Sequence, residues 1–348
     1  MKSLYLAGPA GSGKTAVAVG LALKFCREGY KVSYFKPVGA GGPGGADTDA
    51  VLMKEVLSLD LPLEVIVPCE AGPSYLSRGK KLDYKKEVAA AYREVREGYD
   101  IVMVEGATFP YVMASCGMDA ASLAAELGCA VVTLVRVKND YDLDAAIYTN
   151  SYFAGKGIHL AGSIFSHVQR PLLAKTEGVY KPIMEEMGFA TLGILPARLE
   201  IAAPTVAEFK DALGGEVLTG DDKMDLLVED VVVGAMTMES ALKYLRRAAN
   251  KAVVLGGDRA DLALAALETN TSALILTGGL YPDVKVLARA SEKGVPVILV
   301  HMDTYNTIEK LGEVTRHLRP GDVRGIEVAR ENIEKHCDWQ KILNALRD

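Results

Sequence analysis

Gly8-Pro9-Ala10-Gly11-Ser12-Gly13-Lys14-Thr15 decides how this chain is read. The stretch follows a short apolar run, Leu4-Tyr5-Leu6-Ala7, and opens into Ala16-Val17-Ala18-Val19, so the local order is strand, glycine-rich loop, helix. That is the Gly-x4-Gly-Lys-Ser/Thr pattern of a phosphate-binding loop in the context it requires. Gly8, Gly11 and Gly13, with Ser12 between them, let the backbone turn tightly enough to aim several N–H groups at phosphate oxygens. The helix starting near Lys14 brings its positive end to the same point. Lys14 is expected to reach the β- and γ-phosphates of ATP, and the Thr15 hydroxyl to ligate Mg²⁺. The alternative is a glycine-rich turn that binds nothing.

Composition narrows the class. Of 348 residues, 49% are hydrophobic and 24% charged, the balance of a globular protein with room for two domains. A net charge of -6 argues against a nucleic-acid binder, because a phosphate backbone calls for clustered Lys and Arg. No apolar run reaches the length of a membrane-spanning helix, and the N-terminus reads as a strand rather than a signal peptide. A cytoplasmic protein with neither membrane nor nucleic-acid partner is expected. Cys26, Cys69, Cys116, Cys129 and Cys337 are scattered and odd in number, the pattern of reduced thiols. The histidines show no ligand spacing, so zinc is not expected.

Apolar runs alternate with helical patterns throughout, which predicts an α/β protein: a P-loop domain with a mostly parallel sheet flanked by helices, then a smaller α/β domain. Strands are expected at residues 4–7, 32–35, 101–104, 130–135, 160–165 and 192–196, and helices at 15–27, 50–57, 85–98, 119–127, 143–154 and 176–187. Residues 58–82, rich in Pro and Gly, form either a lid or the cover of a sheet edge. The pattern weakens over 200–225, where Gly214-Gly215 and Gly220-Asp221-Asp222 suggest a domain connection. Further strands are expected at 231–233, 252–255, 273–276 and 297–300, with helices starting near Met238, Ala260, Asp283 and Thr304. A single terminal helix is expected at about 327–346. The division is therefore 1–205, 206–322 and a helical tail, 323–348.

Strands of an open parallel sheet point their carboxyl ends at one edge, where ligands bind. Lys14 follows the first strand, Lys36 ends the second, and Glu105 ends the strand at 101–104. Asp47 and Asp49 lie in the loop beyond Lys36. A carboxylate after four apolar residues is a usual Mg²⁺ holder opposite a P-loop, and Glu105 fits. Asp47 and Asp49 either join it as metal ligands or cap the next helix. Lys36 is either a partner of the transferred group or a solvated strand end.

These residues, with Tyr34-Phe35-Lys36-Pro37-Val38 and Val102-Met103-Val104-Glu105-Gly106-Ala107 in order, resemble dethiobiotin synthetase over about residues 1–200. The resemblance implies that Lys14, Thr15, Asp49 and Glu105 bind ATP phosphates and Mg²⁺. It implies that Lys36 stabilises the reacting carboxylate and phosphate, and that the protein is a homodimer. Over its whole length the chain looks like the N-terminal region of long phosphotransacetylases, in which such a domain precedes a DRTGG domain. Leu192-Gly193-Ile194-Leu195-Pro196 and Ala202-Ala203-Pro204-Thr205-Val206 carry the junction, and Asp258-Arg259 with Thr277-Gly278-Gly279 the DRTGG residues. Departures fall on the second substrate's side and at the position that reads the base. Gly39-Ala40 stands where dethiobiotin synthetases carry a serine, and Thr108-Phe109-Pro110-Tyr111 is bulky. Ser166-His167 replaces an asparagine that reads adenine. Dethiobiotin formation itself is not expected.

In the second domain, the two glycine loops with Arg259 make either a small anion or nucleotide pocket or plain turns, with Asp258 capping the next helix and Arg259 pairing locally. Two functions follow. One is ATP-dependent activation of an unidentified small carboxylate or carbamate. The other is a regulatory protein that senses nucleotide, the role that the DRTGG likeness implies.

Overall fold

A computed structural model describes residues 2–39, 47–72, 74–78, 84–314 and 318–346. The chain forms two compact units, one of Met1–Arg198 with Leu318–Asp348, the other of Leu199–His317.

The first unit is built on β1 (Lys2–Ala7), β2 (Val32–Phe35), β3 (Ile101–Glu105), β4 (Ala130–Val135), β5 (Leu160–Val168) and β6 (Thr191–Pro196). They lie in the order β2-β3-β1-β4-β5-β6, all parallel. Every residue of β2, β3 and β4 is buried, as a sheet covered on both faces requires, which is why these strands read as continuous apolar runs. After β1 the chain crosses to β2 at the sheet edge, comes back to β3 between the two, and then passes to β4 on the other side of β1. The loop after β1 therefore sits where the winding reverses, the point at which such sheets bind ligands.

Local signals fix the helix ends. Gly13, at φ 75°, enters the helix Lys14–Arg27, and Lys24 and Arg27 occupy its last turn, where the helix dipole favours cations. Asp47 caps Thr48–Val56, and Asp119 caps Ala120–Leu127. Residues 66–71 pair with the chain just past the end of β2: Lys36 N–H donates to Ile66 O at 2.9 Å, Gly39 N–H to Cys69 O at 2.8 Å, and Ala71 N–H to Gly39 O at 3.0 Å. The segment of open reading thus pins the chain just beyond β2. Most of the glycine-rich loop, residues 40–46 with Ala40 among them, lies outside the described residues.

Three expectations need correction. The helix expected at 176–187 opens as a π-helical turn, Thr176–Tyr180, before Lys181–Glu186 becomes α-helical. Gly178 and Pro182, which has no N–H to give, weaken the α-helical ladder there. The expected connection over 200–225 holds a helix, Val206–Leu213, started by a capping box in which Thr205 and Glu208 exchange side-chain and backbone hydrogen bonds. It also holds a strand, β7 (Glu216–Thr219). The single terminal helix is two, Val323–His336 and Trp339–Ala345. Cys337 between them is extended and bridges to Gly193, while Asp338 caps the second helix.

The second unit adds β8 (Asp230–Val233), β9 (Lys251–Gly256), β10 (Thr271–Thr277) and β11 (Val297–Leu299), in the order β7-β11-β10-β9-β8 with β7 antiparallel. Helices cover both faces, Leu262, Ala266 and Val286 packing one and Val206, Phe209 and Leu311 the other. Among the described residues no helix is long and apolar enough to cross a membrane. All five cysteines are free.

Candidate functional site

In the loop Gly8–Thr15 four backbone carbonyls are engaged by side-chain donors. Lys14 Nζ donates to Gly8 O at 3.0 Å and Pro9 O at 3.1 Å. Arg136, just past β4, donates from Nη1 to Gly11 O at 3.0 Å, and Ser166 Oγ donates to Ser12 O. Gly8 packs so closely that a Cβ there would stand 2.9 Å from Leu134 O and 2.7 Å from Ser12 Oγ. Gly11 and Gly13 take φ of 66° and 75°, which glycine adopts without strain. The Ser12 hydroxyl is buried with no hydrogen-bond partner among the described residues. With these carbonyls already engaged, the glycine-rich loop ahead of a helix N-terminus is of the kind that takes an anion.

Two strand ends bring charge to this loop. Glu105, 2% exposed, accepts from Thr15 Oγ1 at 3.0 Å through Oε1 and from Tyr34 OH at 3.0 Å through Oε2. Lys36, 6% exposed, lies 2.6 Å from Asp49 Oδ2 and 2.9 Å from Asp47 Oδ2. Asp47 does double duty, since its Oδ1 also accepts from the Asp49 and Ala50 N–H groups at the start of the next helix. The same carboxylate thus caps the helix and pairs with Lys36.

Electrostatics follow from burial. Burial pulls the Lys36 ammonium down, but Glu105, Asp49 and Asp47 together outweigh it and hold its pKa above the ordinary value. Burial lowers the Lys14 pKa, with Glu105 opposing and Lys36 reinforcing the shift. The Glu105 carboxyl is raised to about 7 by burial first and by Asp49 second, against Lys36, Lys14 and the Tyr34 hydroxyl.

A stability test follows from the Glu105 shift. The folded chain holds this proton more tightly than an unfolded chain, whose carboxyl has the ordinary value of 4.5. Metal-free protein should therefore lose stability as pH rises from 4.5 to about 7, by roughly 3 kcal/mol. Glu105→Gln, neutral throughout, should flatten that slope in urea titrations run at several pH values across the window. An unchanged slope in Glu105→Gln would place the proton elsewhere.

The donor set suits a hard cation. Thr15 and Glu105 offer a hydroxyl and a carboxylate oxygen side by side, and Mg²⁺ is commonly held by one or two carboxylates with waters and phosphate oxygens. Asp47 and Asp49 are turned onto Lys36 instead. Among the described residues no three His, Cys, Asp or Glu gather as a metal cage.

Sequence reasoning named Lys14, Thr15, Lys36, Asp47, Asp49 and Glu105, and the structure brings all six to one edge. It missed Tyr34, Arg136 and Ser166. Arg136 carried a readable signal, a cation directly after a buried apolar strand that neighbours β1. His167 follows Ser166 with φ 55°, a left-handed conformation that costs a non-glycine residue energy. Burial, then Arg136, lowers its imidazole to about 4, so it is neutral at physiological pH.

In the second unit Asp258, Arg259, Thr277, Gly278 and Gly279 do share the carboxyl edge of the sheet. Arg259 pairs with Asp261 at 3.2 Å, as the turn reading expects, and reaches Met236 O. The helix Ala260–Leu267 has Arg259 at its N-cap position and no side-chain cap, so Asp258 does not cap it. Thr277 Oγ1 meets Thr304 Oγ1 at 2.9 Å. Gly278 and Gly279 take φ of 81° and 66°, and a Cβ on Gly279 would crowd His301 Nδ1 at 2.8 Å. Arg259, Thr277 and the two glycines thus have structural tasks there.

Residues 2–205 match the AAA domain family, and residues 208–314 match the DRTGG domain. The phosphate acetyltransferase of Nitratidesulfovibrio vulgaris is 26% identical over 357 aligned positions, covering 95% of this chain and 49% of that protein. That of Pseudomonas putida is 24% identical over 346 positions, 94% of this chain and 49% of that protein. That of Nitrosomonas europaea is 24% identical over 344 positions, with the same two coverages of 94% and 49%. The chain spans about half the length of the curated relatives it matches.

Proposed function

Because the chain belongs to the AAA domain family, in the dethiobiotin-synthetase-like P-loop form followed by a DRTGG domain as in the N-terminal region of long phosphotransacetylases, we propose that its first unit binds ATP with Mg²⁺ and activates a small carboxylate or carbamate by phosphoryl transfer. The observation that carries this reading is the buried Lys36 held beside the P-loop edge by two carboxylates. Phosphoryl transfer needs positioning and charge stabilisation more than covalent chemistry. Lys14 releases the Gly8 and Pro9 carbonyls and takes phosphate oxygens in their place. Thr15 and Glu105 are the residues that would hold Mg²⁺, which would neutralise charge on the phosphates. Lys36, fixed in place before any ligand arrives, offsets charge that develops on the group in transfer.

The test is ADP release across a panel of amines and carboxylic acids, with and without bicarbonate. Turnover above background with any member supports the reading; none across the panel counts against it. In that case the regulatory reading takes its place, in which the first unit senses ATP and the Arg259 edge of the second unit takes an anionic ligand.

The protein is also proposed to be a homodimer, the twofold association being the commonest for such chains. Light scattering at micromolar concentration should give the mass of two chains; the mass of one refutes it.

A further inference from the structure

We propose that Tyr34 is a positioning residue for the divalent cation: its hydroxyl claims one oxygen of Glu105 and leaves only the other, Oε1, to face a metal beside Thr15. The inference rests on the nucleotide and Mg²⁺ reading above. Tyr34 lies on β2 and pairs across from Met103 on β3, two residues before Glu105. Residues two apart on a strand share a face, so Tyr34, Lys36, Met103 and Glu105 line the same side of the sheet. Tyr34 is fully buried, and its hydroxyl has the Oε2 atom at 3.0 Å. Thr15 takes Oε1 at 3.0 Å, so neither oxygen of this buried carboxylate is unpartnered.

The two partners differ in what they can do. Thr15 belongs to the P-loop motif, and its hydroxyl is free to turn toward a cation that arrives with phosphates. Tyr34 has a ring fixed within the core and no such second task. Once a metal binds, Thr15 releases Oε1 while Tyr34 keeps Oε2. The carboxylate then presents a single oxygen. Mg²⁺ accepts that geometry, since it demands near-octahedral ligands one at a time. Ca²⁺, larger and more tolerant, often takes a carboxylate through both oxygens. Tyr34 therefore favours Mg²⁺ over Ca²⁺ by withholding the second oxygen. A phenylalanine at this position would free Glu105 to rotate.

Nucleotide affinity of Tyr34→Phe, measured by calorimetry with ATP in EDTA, in Mg²⁺ and in Ca²⁺, tests this. Affinity in EDTA should match the wild type. The gain from Mg²⁺ should shrink about tenfold, the lower end of what losing a hydrogen-bond partner of a metal ligand costs, and the preference for Mg²⁺ over Ca²⁺ should fall with it. The same substitution in a Glu105→Gln background should change neither quantity further, because Tyr34 acts through that carboxylate. A lower melting temperature with the Mg²⁺ to Ca²⁺ preference intact makes Tyr34 merely structural and overturns the proposal. A wild type whose ATP affinity ignores metals overturns the Mg²⁺ reading itself, a distinct result.

Discussion

Lys14→Ala loses ATP affinity by about a hundredfold or more, the outcome expected if the ammonium contacts phosphate oxygens directly. A hydrogen bond to a charged group is worth about 1.5–3 kcal/mol, and two such contacts reach or pass that factor. The side chain is already committed to the loop, 9% exposed, with its Nζ on the Gly8 and Pro9 carbonyls. Replacing it leaves those two oxygens without that donor, a small cost to stability beside the loss in binding. Calorimetry of ATP with Mg²⁺ compares the two proteins. Equal affinities would falsify the assignment of this loop to phosphate binding.

Lys36→Met separates the two functional readings. In a phosphoryl-transfer enzyme Lys36 acts on charge that appears during transfer, so its loss costs rate more than ground-state affinity. Removing one preorganised donor of this kind lowers turnover by about a hundredfold. ATP affinity should stay close to that of the wild type. The substitution also leaves Asp47 and Asp49 facing each other without their shared cation, and breaking a buried ion pair costs about 3–5 kcal/mol. Rates are therefore compared at a temperature where melting curves show both proteins folded. Equal turnover in the two proteins favours the sensor.

The parts of the site legible in the sequence are those whose chemistry is local. The P-loop carries its residues in one octapeptide, and Glu105 announces itself by ending an apolar run. Tyr34 announces nothing, because its role arises from the pairing of β2 with β3, a contact 71 positions apart. Asp47 was readable as a cap, and only the position of Lys36 reveals that the same carboxylate also pairs with that lysine. In the fold, the strands of parallel sheets were legible because burial on both faces makes them uniformly apolar. β7 was not, being a four-residue antiparallel edge strand whose exposed and half-buried residues have no such run. The helix after Thr205 did leave a signal, the Thr-x-x-Glu spacing, obscured by the glycines that follow it. Asp338 likewise marks a second start within the terminal helical region.

The helix Val323–His336 seats against the P-loop helix at Gly20, where a Cβ would come within 2.7 Å of Ala329 O and 2.5 Å of Ile333 Cγ1. Glu334 adds ion pairs to Lys24 and Arg27. Those partners are translated about 300 residues after Gly20, with the whole second unit made in between. A nascent chain on the ribosome thus holds its phosphate-binding helix without its packing partner through most of synthesis, the kind of exposed apolar surface that chaperones bind. For the same reason, a fragment cut at the boundary near residue 198 is not a minimal nucleotide-binding domain. It would need residues 318–346 supplied again, on the same chain or in trans.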